Sequence, residues 1–457
     1  MSDVAQLRPT AAELREMARL AAPIVLVNVG MQAMGVVDSL MLGRVSAAAL
    51  AAGALGNFYF FVTAVVGMGV LMALDPVVAQ AVGAQDDVGV ARGVQRGVAL
   101  TLLVSVAVAL TFLAAGPVLA LLRQPADVVP GAVAYVHWSI AGLLPFFAFN
   151  TMRQVLQAFT RIRPIVLAVV VANLVNVGAN WVLIFGHAGA PALGVAGSAI
   201  ATALARWVMA LVLLAAAWPV LRPTLRPWHP ESWQWAPLRR MLGIGLPIGL
   251  QFFAEANAFG LVTVMAGWMG TTTLAGHEIA LNLASMTFMV PFGVSGAAAV
   301  MVGHAVGAGD VAESRRDAVA ALAVGVGFMA LMAVVFALAP RTLAAAYTTD
   351  PATQAMAATL IPIAAVFQVF DGTQVISTAI LRGAGDTRVA MVLHALSFWA
   401  VGIPLGAVAA FGFDGGAPGL WWGLTAGLAA AAVLQLARVR WKLAGPVARV
   451  HLDGAPG

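Results

Sequence analysis

Three carboxylates stand inside long apolar runs of this chain: Asp38, Glu255 and Asp371. An ionisable side chain in a lipid-embedded helix is costly, so it marks a place where charge is bound or moved. Glu255 and Asp371 fall near the middle of their runs. Two anions sharing a low-dielectric site repel, so either one of them binds a proton or both hold a metal cation. Asp38 is a third candidate. Each could instead hydrogen-bond a neighbouring helix and do nothing more. That structural role suits Asp75 and Glu278 better, because they lie near run ends where water is close. Asn28, Gln32, Asn150, Asn173 and Asn176 either line a cavity with Asp38 or make interhelical hydrogen bonds; residue type alone leaves both open.

Motifs for enzymatic chemistry are missing. No glycine-rich phosphate loop carries a lysine, and Lys442 is the only lysine in the chain. His277-Glu278 lacks the second histidine a zinc-protease helix needs. The seven histidines show no ligand spacing, and with no cysteine the chain has neither thiolate chemistry nor disulfides. The chain is therefore not expected to be an enzyme or to carry a cofactor.

The elements that position the acids follow from composition. Hydrophobic residues make up 61% of the chain and charged residues 9%, against about 25% charged in soluble domains. Such a chain cannot wet its own surface. Apolar runs of about 20 residues recur, each long enough to span a bilayer, and without period-2 alternation they are helices. Twelve spans are predicted: Leu20–Met41, Ala51–Leu74, Val94–Leu119, Ala134–Phe159, Ile165–Phe185, Leu193–Trp218, Leu242–Met265, Ala275–Met301, Ala318–Leu338, Ala357–Ile380, Val389–Phe411 and Leu420–Leu436. With both termini in the cytoplasm, 19 of the 24 Lys and Arg residues fall on that side. Arg44, Arg123 and Arg341 face outside, while Arg153 and Arg206 lie within spans. The basic balance thus sets orientation and does not indicate nucleic acid.

The chain is also duplicated. Pro23–Asp86 and Pro247–Asp310 align without a gap at an offset of 224 residues, with Gly43 on Gly267 and Ala81-Val82-Gly83-Ala84 on Ala305-Val306-Gly307-Ala308. Six spans per copy make this a parallel repeat about an axis along the membrane normal. The expected division is a first bundle over residues 1–218, a cytoplasmic connector over 219–240 and a second bundle over 241–457. The acids break the symmetry: Glu255 falls on Met31, Asp38 on Val262, and a second alignment puts Asp371 on Asn150. A shared scaffold does not require this, so it argues for chemistry. On that frame Asp38 lies seven residues outward of Glu255, about 10 Å at 1.5 Å per residue.

These residues resemble the multidrug and toxic compound extrusion (MATE) family, and in detail its NorM branch. The pattern begins at Pro23, runs through Val37-Asp38-Ser39-Leu40-Met41-Leu42-Gly43 and continues with Pro76-Val77-Val78-Ala79-Gln80. The second copy offers Gly245-Leu246-Pro247-Ile248, Glu255 and Ala275-Gly276-His277-Glu278. Gln368-Val369-Phe370-Asp371-Gly372-Thr373-Gln374 then leads into Leu381-Arg382-Gly383-Ala384-Gly385-Asp386-Thr387-Arg388. The resemblance implies a proton- or sodium-coupled antiporter of bulky, often cationic and hydrophobic compounds. It places cation coupling on Glu255 and Asp371, and coupling or drug binding on Asp38. Phe367 stands where the branch often has tyrosine, keeping a π face in the cavity. Val177 stands where other branches carry a second carboxylate.

The expectation is an all-α polytopic membrane protein with two six-helix bundles around a central cleft. It would work as a monomer in the bacterial inner membrane, exchanging a cation for small drug-like molecules. Sodium, held by Glu255 and Asp371, is slightly preferred in the second half. A flippase or exporter of lipid-linked or metabolic substrates is the alternative; pyrophosphate, however, calls for a cavity rich in Arg and Lys.

Overall fold

The computed structural model describes residues 9–122 and 124–453, so Arg123 lies outside the described residues. Among these, twelve helices are long and apolar enough to cross a membrane. They are α1 (Ala11–Gly43), α2 (Ala47–Gly83), α3 (Asp87–Leu113), α4 (Val129–Ala158), α5 (Arg163–Phe185) and α6 (Gly194–Leu225), followed by α7 (Trp235–Trp268), α8 (Thr271–Ala308), α9 (Val311–Leu338), α10 (Pro351–Gly383), α11 (Thr387–Gly412) and α12 (Gly416–Lys442). The fold is an all-α polytopic membrane protein. Every span expected from hydropathy is present.

Most helices overrun their hydropathy limits, because helix ends are set by capping and not by where lipid stops. Asp86 caps α3 by accepting from the Gly89 N–H at 2.8 Å, and Asp310 caps α9 by accepting from Glu313 N–H at 2.8 Å. These two aspartates are repeat mates. The connector expected over 219–240 is shorter than that: α6 carries Pro219 and Pro223 within it, and α7 begins at Trp235. What remains is knitted to α3. Gln95 donates to the carbonyls of Thr224 and Pro227 at 3.2 and 3.0 Å, and accepts from the His229 N–H at 2.8 Å. A buried glutamine thus holds the connector at both ends.

The helices gather into two compact units. One comprises the described residues through Val25, Gly83–Gln85 and Leu250–Val450; the other comprises Leu26–Val82, Asp86–Gly249 and the described residues from His451. The division therefore runs through α1 and α7 and not through the connector. Glycine makes this possible at one crossing in each unit. In the second unit, a Cβ on Gly69 would lie 2.2 Å from the Gly249 Cα; in the first, a Cβ on Gly293 would lie 3.0 Å from the Val25 N. The offset of 224 carries Val25 onto Gly249 and Gly69 onto Gly293. The duplication seen in sequence is thus a duplication of helix crossings.

At the α2–α7 crossing only backbone faces backbone, so nothing can give way. We expect Gly69→Ala to destabilise the protein by about 1–3 kcal/mol, the usual cost of overpacking. Gly178→Ala, with nothing within 4 Å of the added Cβ, should be neutral. Thermal unfolding of the purified proteins reads this directly, and equal melting temperatures for the two variants would refute it.

Within the first unit, α11 and α12 pack through two small-residue pairs. Gly402 and Gly406 meet Gly423 and Gly427, with Gly406 Cα 2.1 Å from the place a Gly423 Cβ would occupy. This is the G-x-x-x-G device on both partners, which lets backbones approach closely in lipid. Helix α11 is also wound as a π-helix over Leu396–Gly402 and Val408–Gly412.

Candidate functional site

The structure places one carboxylate constellation in each unit. In the unit beginning at Leu26, Asp38 projects from α1 toward α5 and α6. Its Oδ1 accepts from Asn180 Nδ2 at 2.6 Å and Asn176 Nδ2 at 3.1 Å, and its Oδ2 accepts from Thr202 Oγ1 at 2.7 Å. Asn176 and Asn180 are four residues apart, hence on one face of α5. Asn180 also donates to Asn176 Oδ1 at 3.2 Å. Asp38 is 7% exposed, so this ring of donors replaces the water an ionised carboxylate would otherwise need. Arg206, one turn beyond Thr202, lies 3.9 Å over the Phe60 ring.

The sequence candidates around Asp38 separate accordingly. Asn176 joins it. Asn173 does not: its amide donates to the Gly30 carbonyl at 2.9 Å and to the Val169 carbonyl at 2.8 Å. Asn150 donates within its own helix, to the Phe146 carbonyl at 2.8 Å. Asn28 accepts from Arg153 at 3.2 Å. Gln32 is exposed. Asn180 and Thr202 are the members sequence reading missed. Asn180 was legible as the next residue on the Asn176 face, whereas Thr202 had no signal, since a lone threonine in an apolar run is ordinary. Val177 is 40% exposed, and the polar position beside Asp38 belongs to Asn180.

In the other unit, α7 carries Glu255 and α10 carries Asp371. Asp371 is 6% exposed, and the Glu255 side chain 17%. On α11, His394 Nε2 stands 3.5 Å from Glu255 Oε2, a neighbour residue type alone does not reveal. A chain of neutral groups continues from that histidine through Gln374, Thr378 and Gln435. Phe367, expected to line a cavity, is only 2% exposed and packs edge-on to Phe259 and Trp421. It is a core residue, so its lost hydroxyl is a packing matter. His277 is likewise structural, with Thr263 at 2.9 Å from one ring nitrogen and the Trp421 indole N–H donating to the other at 3.2 Å. Among the described residues no three of His, Cys, Asp and Glu cluster to hold a metal ion. A sodium ion here would have to complete its ligand set from neutral oxygens.

The repeated frame on which these sites stand matches a known family. The MatE family model matches this chain twice, over residues 23–182 and 247–408. The chain belongs to the MatE family. The two matches start 224 residues apart, at the repeat mates Pro23 and Pro247. Among curated MatE relatives, a multidrug resistance protein NorM of Burkholderia vietnamiensis is 37% identical, over 94% of each chain. A probable multidrug resistance protein NorM of Mesorhizobium japonicum is 35% identical over 96% of each. The multidrug resistance protein MdtK of Edwardsiella ictaluri is 32% identical, covering 94% of this chain and 95% of its own. Among solved structures, the eukaryotic MATE transporter AtDTX14 superposes with a TM-score of 0.84 at 21% identity, over 94% of this chain and 99% of its own. An outward-facing multidrug resistance MATE family transporter superposes at 0.85 with 18% identity, over 96% and 98%. At those identities the superpositions speak for the fold.

Proposed function

We propose that this MatE chain is a cation-coupled antiporter that exports bulky, often cationic and hydrophobic compounds by alternating access. The observation that carries the reading is the carboxylate site in each copy of the repeat, with Asp38 and Glu255 both standing where the other copy is apolar. Asp38 maps onto Val262, a buried core residue, and Glu255 maps onto Met31. A scaffold does not need those charges, whereas an exchanger does. The names of the NorM and MdtK relatives support the class of cargo.

The geometry supplies a mechanism at Asp38. The carboxylate accepts from three donors, an arrangement suited to the ionised form. A proton arriving on it turns one oxygen into a donor, which cannot face Asn176, Asn180 and Thr202 as they stand. At least one of those contacts must reorient, so cation binding is tied to how α1 seats on α5 and α6. At Glu255 and Asp371 a bound cation relieves the repulsion between two anions in low dielectric. Release of the cation restores it. A lipid-linked cargo is less well served. Of the two span arginines, Arg206 is engaged with the Phe60 and Phe146 rings and Arg153 with Asn28.

The protein would lie in a bacterial inner membrane with both termini and the 226–234 connector in the cytoplasm, as the distribution of arginine indicates. Everted membrane vesicles test the coupling. Uptake of a fluorescent cationic dye is followed first under an imposed sodium gradient at fixed pH, then under a pH gradient without sodium. We expect one of the two gradients to drive accumulation, and its collapse to release the dye. Indifference to both would overturn the coupled-exporter reading.

A further inference from the structure

One buried nitrogen in the Glu255 unit has a direction but no hydrogen-bond partner. His394 is completely buried, and its Nε2 makes no hydrogen bond while standing 3.5 Å from Glu255 Oε2. Its tautomer follows from how the amides and the hydroxyl beyond it are placed. The Thr378 hydroxyl has a single proton, which it gives to Gln435 Oε1. Thr378 Oγ1 must therefore accept from the Gln374 amide nitrogen at 3.3 Å and from that of Gln251 at 3.4 Å. This turns the Gln374 amide so that its NH2 group also reaches His394 Nδ1, at 2.9 Å. The Gln374 oxygen is left without a partner, as expected of an amide oriented by its nitrogen. Nδ1 is then an acceptor, and the one proton of a neutral ring sits on Nε2, facing the carboxylate.

The ring is held as firmly as it is oriented. It lies 4.8 Å from the Phe398 ring, centroid to centroid, just before the π-helical stretch, and α11 is seated on α12 through the paired glycines. Single π-turns inside helices often accompany functional sites. The titratable groups facing His394 are Glu255 on α7 and, through Glu255, Asp371 on α10. The remaining charged groups on the neighbouring elements are further along them. Arg382 lies eight residues past Gln374, Arg388 six residues before His394, and Arg438 of α12 pairs with Asp386 at 2.7 Å.

We propose that His394 is the positioning residue of the Glu255 cation site: its Nε2–H, held toward the carboxylate by the Gln374–Thr378–Gln435 chain, stabilises the ionised form. It thereby sets how readily Glu255 gives up its cation. This rests on the reading of Glu255 as a coupling carboxylate. The ring does not carry the cation itself, because a second ring proton on Nδ1 would face the Gln374 N–H.

The test needs no transport. A carbodiimide modifies a protonated carboxyl, so labelling of Glu255 in the full-length, detergent-purified protein is followed against pH by peptide mass spectrometry. Losing an N–H donor to the anion leaves the carboxyl protonated to higher pH. We expect His394→Leu to move the half-labelling pH upward by about one unit or more. His394→Gln, which can still offer an N–H, should stay near wild type. Gln374→Leu, which frees the ring to adopt either tautomer, should shift in the same direction by less, and decides the matter if His394→Leu does not fold. An unchanged half-labelling pH in the folded leucine variants, or an equal shift in His394→Gln, overturns the proposal. Failure here leaves the exporter reading intact, and failure of the vesicle experiment leaves this measurement readable.

Discussion

Replacing Asp38 with asparagine should abolish export while leaving the protein inserted at wild-type abundance. The side chains are nearly isosteric, and a neutral amide is cheaper to bury than a carboxylate. The local cost is modest. Where Asp38 offered two acceptors to three donors, asparagine offers one acceptor and one NH2, so one neighbour loses its partner at about 1–3 kcal/mol. That is a tolerable loss for a chain with this much buried surface. The functional loss is complete because an amide neither binds a proton at accessible pH nor attracts a cation. Drug resistance of cells expressing the variant, compared at equal membrane abundance, is the measurement. Resistance equal to wild type would reduce Asp38 to a structural hydrogen-bond acceptor.

The Glu255 and Asp371 pair should behave as a single unit. Both carboxylates stand on helices of one unit, and two anions in low dielectric interact whichever of them holds the cation. Glu255→Gln, Asp371→Asn and the double variant should each lose cation-driven export, all to about the same extent, because residues of one shared site are strongly non-additive. Transport of dye into everted vesicles at a fixed driving gradient gives the three rates. Losses in the double variant equal to the product of the two single losses would show two separate sites. An absence of any sodium effect on wild-type transport at fixed pH would assign the pair to protons.

The sequence by itself determined the solvent, the helices and the identity of the charges. Hydropathy is a property of each segment, so twelve spans could be read from composition, and a carboxylate inside such a span stands out wherever it packs. The duplication was legible for the same local reason, and it led to the unpaired character of Asp38 and Glu255. Helix packing decided which polar neighbours serve them. Asn173, Asn176 and Asn180 share a face of α5, but the axial register of α1 against α5 puts Gly30 opposite Asn173 and Asp38 opposite Asn176 and Asn180. Seven residues of helix are about 10 Å, too far for one side chain to serve both levels. Thr202 and His394 were invisible in sequence because their significance lies wholly in which helix they face. A histidine in an apolar run does not say whether its ring meets lipid, a tryptophan or Glu255. Rotation and register of neighbouring helices settle that, and they are set by small residues such as Gly402, Gly406, Gly423 and Gly427, whose spacing permits close approach without naming the partner.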